Sequence, residues 1–311
     1  MTADLTDTRV LDQALGESFA AYCADCVPFT AALPEGSVDF SVYSPPFSSL
    51  YIYSESVADM GNCASDEEFF EQYRHLVRAL YRATRPGRLT AIHVKDLVYY
   101  QNSSERGTAG LRPFSDDCTR VHREEGWDLH SRITIWRDPV REMQKTKAHG
   151  LLWKTLRADS TFSRQGMPEY LIVFRKWAKD GEETAPVTHT KESFPVEEWQ
   201  DLASPVWNFS AQDLPETDVL NVKVARSDKD EKHLCPMPLN ITRRALRLWS
   251  RPGDMVFSPF MGIGSEGWVS LQEGRRFLGA ELNPAYFRQA VKNLEDAAAA
   301  RPTADLFASR G

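Results

Sequence analysis

Two short stretches of this chain carry residue types that could do chemistry. The first is Ser44-Pro45-Pro46-Phe47. A Pro-Pro backbone is stiff and lacks N–H donors, so it presents carbonyls without competing donors. Together with the Ser44 hydroxyl, the Pro45 carbonyl could accept hydrogen bonds from an amino group. An exocyclic amine on an aromatic base is a poor nucleophile, because its lone pair is delocalised into the ring. Acceptors for its hydrogens favour a pyramidal, more reactive nitrogen. Phe47 adds a face on which a base rotated out of a duplex could stack. By itself, the tetrapeptide is equally a Pro-rich turn that ends a strand.

The second stretch is Gly262-Ile263-Gly264 followed by Glu281. Glycines let a backbone pass close to a ligand where a Cβ would clash, and the N-terminus of the next helix offers unpaired N–H groups to an anion. An acid at the end of the following strand can accept both hydroxyls of a ribose. Glu281 lies 17 residues after Gly264, close to the usual spacing of about 20. Gly267 completes a G-x-G-x-x-G pattern, so spacing alone admits NAD, FAD or S-adenosylmethionine. The surroundings decide for the last of these: the unit lies near the C-terminus and is preceded by Phe257-Ser258-Pro259-Phe260. A sulfonium methyl is already activated, so positioning is most of the catalysis, and neither a covalent nucleophile nor a metal is required.

The elements that must position these residues can be read from period and punctuation. Val38 to Tyr43 alternates and stops at the prolines, as a strand would. Residues 48–64 have no clean period and read as a loop, expected to close over a flipped base. Ser65 and Glu68 form a capping box. Phe69, Phe70, Tyr73, Leu76, Val77, Leu80 and Tyr81 then recur at helical spacing until Arg85-Pro86-Gly87. Strands are expected at 89–94, 133–136 and 170–174, the last a continuous apolar run. Residues 101–120 read as a loop, and 178–231 as a surface lobe or long connection. A helix is expected over 239–249. The strands at 255–257 and 277–281 then flank a helix that Ser265 could cap and that runs to Gly274. Asn283 and Pro284 start a last helix with Tyr286, Phe287, Ala290, Val291 and Leu294 on its buried side. Alternating strands and helices imply a mainly parallel, doubly wound α/β sheet.

Composition is that of an ordinary globular chain: 311 residues, 42% hydrophobic and 26% charged. No apolar run approaches the ~20 residues that span a bilayer, and Met1 to Val10 lacks the features of a signal peptide. A cytoplasmic location, in a bacterial or phage context, follows by default. The net charge of -7 sits awkwardly with phosphate binding, so local distribution matters more than the sum. Five scattered cysteines argue against a disulfide framework. Cys23-Ala-Asp-Cys26 is a CxxC without a second pair, which favours a half-buried strand or turn over a metal site. The seven histidines show no metal-binding spacing.

In combination and order, these stretches resemble the β arrangement of the DNA methyltransferases that modify amino groups. Their catalytic Asp/Ser/Asn-Pro-Pro-Tyr/Phe is matched by residues 44–47. Their upstream Gly/Ala-Asp-Cys is matched by Ala24-Asp25-Cys26, and the Ser-Val-Asp strand by Ser37-Val38-Asp39. Their Asp-Pro-Phe-x-Gly-Ser-Gly-Thr corresponds to Ser258-Pro259-Phe260-Met261-Gly262-Ile263-Gly264-Ser265, and Gly-x-Glu-x-x-x-x-Tyr to Gly279-Ala280-Glu281 and Tyr286. A His-Pro-x-x-Lys-Pro stretch is similar to His233 through Pro238. The resemblance runs from residue 24 to about 295 and implies a Rossmann-like, S-adenosylmethionine-dependent methyltransferase fold with a smaller recognition lobe.

It also implies roles. Ser44, Pro45, Pro46 and Phe47 are catalytic. Asp25 and Cys26 approach the adenine end of the cofactor. Ser258, Pro259, Phe260, Gly262, Gly264 and Ser265 surround the methionine part, and Glu281 and Leu282 hold the ribose end. Ser258 and Met237 depart from the usual Asp and Lys, which puts the contacts to the methionine amino and carboxylate groups in question, with Thr242 or Ser265 as substitutes.

Ser-Pro-Pro-Phe accompanies cytosine N4 methylation more often in this family, with adenine N6 as the alternative. Residues 178–231, the usual recognition segment, hold 5 Lys/Arg and 13 Asp/Glu, whereas 137–164 hold 7 Lys/Arg and 3 acids. The DNA backbone is therefore expected on this second stretch, at Arg141, Lys145, Lys147 and Lys154, with Trp153 and Gln165 near bases. A solvated basic helix is the competing explanation.

The implied organisation is a catalytic half at 20–177 with a basic insertion at 137–166, a variable lobe at 178–231 and a cofactor half at 232–298. Double-stranded DNA is the expected partner, with a homodimer as an option and no membrane. Relatives serve restriction–modification, phage protection or epigenetic marking. An NAD-linked oxidoreductase and a non-catalytic DNA-binding relative are the competing classes.

Overall fold

Apolar runs form the strands of one sheet, and amphipathic helices cover both of its faces. The computed structural model describes residues 10–47, 60, 63, 65–103, 107–146, 151–209, 218–221 and 236–300. The first part contains β1 (Val10–Leu15), β2 (Phe19–Ala24), α1 (Cys26–Ala32), β3 (Val38–Tyr43), α2 (Asp66–Ala83) and β4 (Thr84–Val94). A small antiparallel pair, β5 (Leu97–Tyr99) and β6 (Gly110–Arg112), leads into α3 (Phe114–Glu124) and β7 (Asp128–Ile135). Then come α4 (Pro139–Thr146), α5 (Trp153–Ala158), β8 (Glu169–Arg175), α6 (Val196–Leu202) and β9 (Val206–Trp207). The last part holds α7 (Leu239–Trp249), β10 (Met255–Ser258), α8 (Ser265–Gln272), β11 (Arg276–Glu281) and α9 (Pro284–Ala299).

The main sheet has the order β1-β2-β11-β10-β3-β4-β8-β7-β9. Its centre, β2 to β4, is parallel throughout. β1 pairs antiparallel at one edge, and β8 runs antiparallel between β4 and β7. The mainly parallel, doubly wound α/β sheet expected from the sequence is thus present. One apolar layer joins Phe29, Phe69, Tyr73, Phe114 and Trp127, from α1 to α3, to that face of the sheet. The other joins Ile241, Ala245, Val269, Leu271, Ala290 and Leu294 of α7 to α9 to the opposite face.

At the amino ends of the central strands, a buried charge cluster ties three of them together. Arg88 of β4 reaches Asp254, just before β10, at 3.0 Å and Asp39 of β3 at 3.5 Å. Asp39 also accepts the Met255 N–H at 2.8 Å. Buried charges persist when paired in this way.

The structure corrects several local expectations. Residues 101–120, expected as a loop, hold β6 and the start of α3. Phe114, Cys118, Val121 and His122 are buried on one side of that helix, but Asp116, Asp117 and Arg120 between them mask the period. Within 178–231 the described residues include α6 and β9. Ser265 does not cap α8: Gly264 takes the cap position with φ 87°, and Ser265 is the first helical residue. β4 begins within Arg85-Pro86-Gly87 instead of after it, with a register irregularity opposite Val38 and Phe40. β1 and β2 carry no turn signal strong enough to have predicted them. The CxxC spans the end of β2 and the start of α1, and Cys23, Cys26, Cys63 and Cys118 are buried free thiols. Among the described residues, no cluster of His, Cys, Asp and Glu could hold a metal, and no helix is long and apolar enough to cross a membrane.

Candidate active site

β3 and β10 are neighbours, yet their connections diverge. The chain leaves β3 through α2 towards β4, and leaves β10 through α8 towards β11 on the other side. A crevice opens at the carboxyl ends of strands where crossovers part in this way. Ser44, Pro45, Pro46 and Phe47 line it from β3. Pro259, Phe260, Met261, Gly262 and Ile263 line it from β10, and Glu281, Leu282 and Asn283 from β11. The two stretches that the sequence singled out therefore face one cavity, and the rings of Tyr43 and Phe260 lie 5.9 Å apart beneath it.

The proline shelf is held by its serine. Ser44 Oγ donates to the His93 carbonyl at 2.9 Å. With the hydroxyl proton committed there, the oxygen faces a ligand as an acceptor. His93 lies at the end of β4, and its Nε2 is 2.9 Å from Glu169 Oε2. Arg137 reaches the other carboxylate oxygen at 3.0 Å. Burial opposes ionisation of Glu169, but the His93 hydrogen bond and charge, supported by Arg137, outweigh it and hold the carboxyl down to about 2. Phe47 is half-buried and rests on Phe114, ring centroids 6.1 Å apart.

The glycine turn is built for close approach. Gly262 and Gly264 have φ of 52° and 87°, in the left-handed region that favours glycine. Glu281 pins the turn: Oε2 accepts the Gly262 N–H at 2.9 Å and Oε1 the Asn283 N–H at 2.8 Å. Asn283 caps α9 by accepting from Ala285 and Tyr286. The buried Ser265 Oγ, in the wall at the start of α8, has no protein partner. Glu266 also lines the wall, 2% exposed. Burial pushes its carboxyl up to about 8, only partly offset by its own backbone N–H and Ser258. Ser258 Oγ sits behind it at 3.5 Å.

The charges in this wall select among ligands. Among the described lining residues the charged groups are Glu266 and Glu281, with no Lys or Arg. A pyrophosphate would meet two acids and no cation. S-adenosylmethionine carries a sulfonium and an ammonium, and its single carboxylate could use the orphaned Ser265 hydroxyl at the α8 N-terminus. The residues present therefore fit S-adenosylmethionine and fit a dinucleotide poorly.

Other expected residues fall as follows. Cys26 and Leu282 are in the wall, but Asp25 is not: its carboxylate caps α1, accepting the Val27 N–H at 2.9 Å. Gly264 and Ser258 lie behind the wall. Thr242 is buried on α7, donating to the Pro238 carbonyl. Met237, where a lysine was expected by resemblance, is a buried apolar part of the wall. Residues 48–59 of the expected closing loop lie outside the described residues, although Met60 lines the cavity. His233 also lies outside them. Arg141, Trp153 and Lys154 are exposed, Trp153 at 71%. Lys147 and the side chain of Lys145 are outside the described residues. Arg137, counted with the basic stretch, is turned inward onto Glu169 instead. Sequence reasoning missed Glu266, Glu169 and the backing role of His93. An acid in the first turn after the glycines was the one available signal.

A Rossmann-like sheet with a glycine turn, a strand-end acid and an amine-accepting shelf at its switch point defines the class of amino-directed methyltransferases. Residues 38–292 match the model of the N6/N4 DNA methylases, described as DNA methylase, and the chain belongs to this family. It is a DNA methyltransferase of the N4-cytosine or N6-adenine type. The type II methyltransferase M1.MboII of Moraxella bovis is 25% identical over 273 residues, covering 86% of this chain and 92% of its own. The DNA adenine methyltransferase YhdJ of Escherichia coli is 29% identical, covering 64% of this chain and 60% of its own. The DNA modification methylase TTHA0409 of Thermus thermophilus, solved in complex with S-adenosyl-L-methionine, has the same fold, with TM-score 0.60 and 22% identity over 88% of this chain and 93% of that one.

Proposed function

We propose that this enzyme transfers the methyl group of S-adenosylmethionine to cytosine N4 in double-stranded DNA. The observation that carries this reading is the shared cavity: the Ser44–Phe47 shelf and the Glu281-pinned glycine turn face each other across it. The Phe260–Gly264 segment holds the methionyl part, Glu281 receives the ribose, and Ser265 faces the carboxylate. The target base, rotated from the duplex, lies against Phe47 with its amino hydrogens on Ser44 Oγ and the Pro45 carbonyl. The nitrogen attacks the methyl carbon in line with the departing sulfur. Its surplus proton leaves to solvent, since no general base among the described wall residues touches the shelf. Residues 20–177 and 232–298 form the two halves of this one catalytic unit.

The basic insertion supplies the DNA contacts. The chain leaves β7 at Ile135 and returns in β8 at Glu169, which pair with each other beside the ends of β3 and β4. The insertion thus hangs from the sheet edge that holds the cavity. Arg141 and Lys154 face phosphates, and Trp153 approaches bases or sugars. Lys145 and Lys147 belong to the same stretch.

Adenine N6 is the second reading, favoured by the adenine-specific relative. Incubation with DNA and S-adenosylmethionine, followed by digestion to nucleosides and mass spectrometry, separates the two. N4-methylcytosine is expected. N6-methyladenine would replace the base assignment, and absence of either would remove the catalytic one.

A further inference from the structure

Glu266 is a buried acid that the established activity does not explain. It sits in the first turn of α8, and its side chain forms part of the cavity wall. Its one polar side-chain neighbour is the neutral Ser258 Oγ at 3.5 Å, beyond the length of a strong hydrogen bond. No Lys, Arg or His of the described chain pairs with it, in contrast to Glu169, Asp39 and Asp254, each buried against an arginine. The other wall acid, Glu281, already uses both oxygens on backbone N–H groups. A buried carboxylate without a counter-ion is costly, and the helix N-terminus relieves only part of that cost. The missing cation must then come from the ligand.

We propose that Glu266, steadied by Ser258, receives the α-ammonium group of S-adenosylmethionine. The inference rests on the cofactor reading above. Geometry explains the serine: a carboxylate reaching down from α8 fills the space behind the strand end, where a second acid at position 258 would crowd it. The acid that neutralises the amino group stands on the helix in this chain, not on the strand.

The test measures binding alone, by calorimetry, with two ligands. One is S-adenosylhomocysteine. The other is 5′-(3-carboxypropylthio)-5′-deoxyadenosine, which keeps the carboxylate and lacks the ammonium. The unmodified protein should prefer the first by at least about tenfold, as a charge-assisted contact implies. Glu266→Gln should weaken S-adenosylhomocysteine by about tenfold or more and leave the deaminated ligand within about twofold. Adding Ser258→Asp to that variant should recover part of the loss, because its carboxylate would return to the same corner. Equal effects on both ligands, or none, would overturn the proposal. If the unmodified protein binds S-adenosylhomocysteine but does not discriminate, this inference alone fails, whether or not the variant folds. If it binds neither ligand, the cofactor reading falls and takes this one with it.

Discussion

The carboxylate of Glu281, at the end of β11, accepts the backbone N–H of Gly262, in the turn after β10, at 2.9 Å. Two strand ends are thereby locked before any ligand arrives, with the carboxylate in the cavity wall where a ribose would lie. Glu281→Ala should weaken S-adenosylhomocysteine by about 10- to 100-fold, since hydrogen bonds to a charged group are worth about 1.5–3 kcal/mol and 1.4 kcal/mol is tenfold. Glu281→Gln retains one acceptor and should lose less. Calorimetric titration measures both, and an affinity unchanged in the alanine variant would remove the residue from the site.

Ser44 contributes an oxygen, not a proton. Its hydroxyl hydrogen is committed to the His93 carbonyl at 2.9 Å, so Ser44→Ala removes an acceptor from the amine. Single-turnover methylation should slow by about 10- to 100-fold, the effect of losing one transition-state hydrogen bond. Cofactor affinity should stay within about twofold, because the shelf does not hold the cofactor. A parallel loss of affinity would place Ser44 in the wrong subsite.

Behind Ser44, the His93–Glu169–Arg137 group sets an acid limit on stability. Glu169 is held down to about 2 against an ordinary value of 4.5. A depressed carboxyl contributes stability that is present above 4.5 and lost as pH falls towards 2, because the unfolded chain binds the proton first. Glu169→Gln should therefore cost stability at pH 7, by about 3–5 kcal/mol if it behaves like other broken buried pairs. The gap from the unmodified protein should narrow through the window between pH 4.5 and 2. Urea melts across that range check it, and a gap independent of pH would mean the charge is not what matters.

How much of this was legible depended on whether a residue's partner lies near it in sequence. The glycine turn, Glu281, Asn283 and Pro284 sit within one strand–helix–strand unit, so local spacing exposed them. The Ser44 shelf was visible because two prolines stop a strand. Glu266 was hidden by looking like an ordinary acid in a helix's first turn, where such residues are common. Nothing local marks it as buried. Arg137 looked like one more cation in a basic stretch, but its partner Glu169 lies across an insertion of some thirty residues. The helix α3 was lost because acids and arginines fill its exposed side.

The exposed face of the insertion offers a prediction about DNA. α5 buries none of its residues, and Trp153 is 71% exposed. Such a helix gains no stability from the core, so Lys154→Glu and Trp153→Ala should leave the melting temperature within about a degree. If Lys154 touches phosphate, its reversal should lower DNA affinity and reduce the slope of log K against log salt by about one unit. Trp153→Ala should lower affinity with little change in that slope. Fluorescence anisotropy over a salt series decides, and unchanged affinity in both would leave α5 as a solvated helix.

Glu266 predicts a pH dependence of the opposite sign to that of Glu169. Burial pushes its carboxyl up to about 8 from 4.5, so the folded, ligand-free protein keeps a proton that the unfolded chain has lost. Between those values the folded state binds more protons, and stability should fall as pH rises. The charged group facing it is Glu281, which raises the carboxyl further, and Ser258 is the neutral neighbour that lowers it. Glu266→Gln cannot ionise. It should match the unmodified protein at pH 5 and melt several degrees higher at pH 8.5, where the buried charge weighs on the parent alone. Binding S-adenosylhomocysteine should reverse this, since an ammonium beside the carboxylate favours its ionised form, so binding at pH 7 should release a proton. Calorimetry in buffers of different ionisation enthalpy counts that proton. Release from the parent and none from the variant is the expected pair of results; equal release from both would assign the proton to another group.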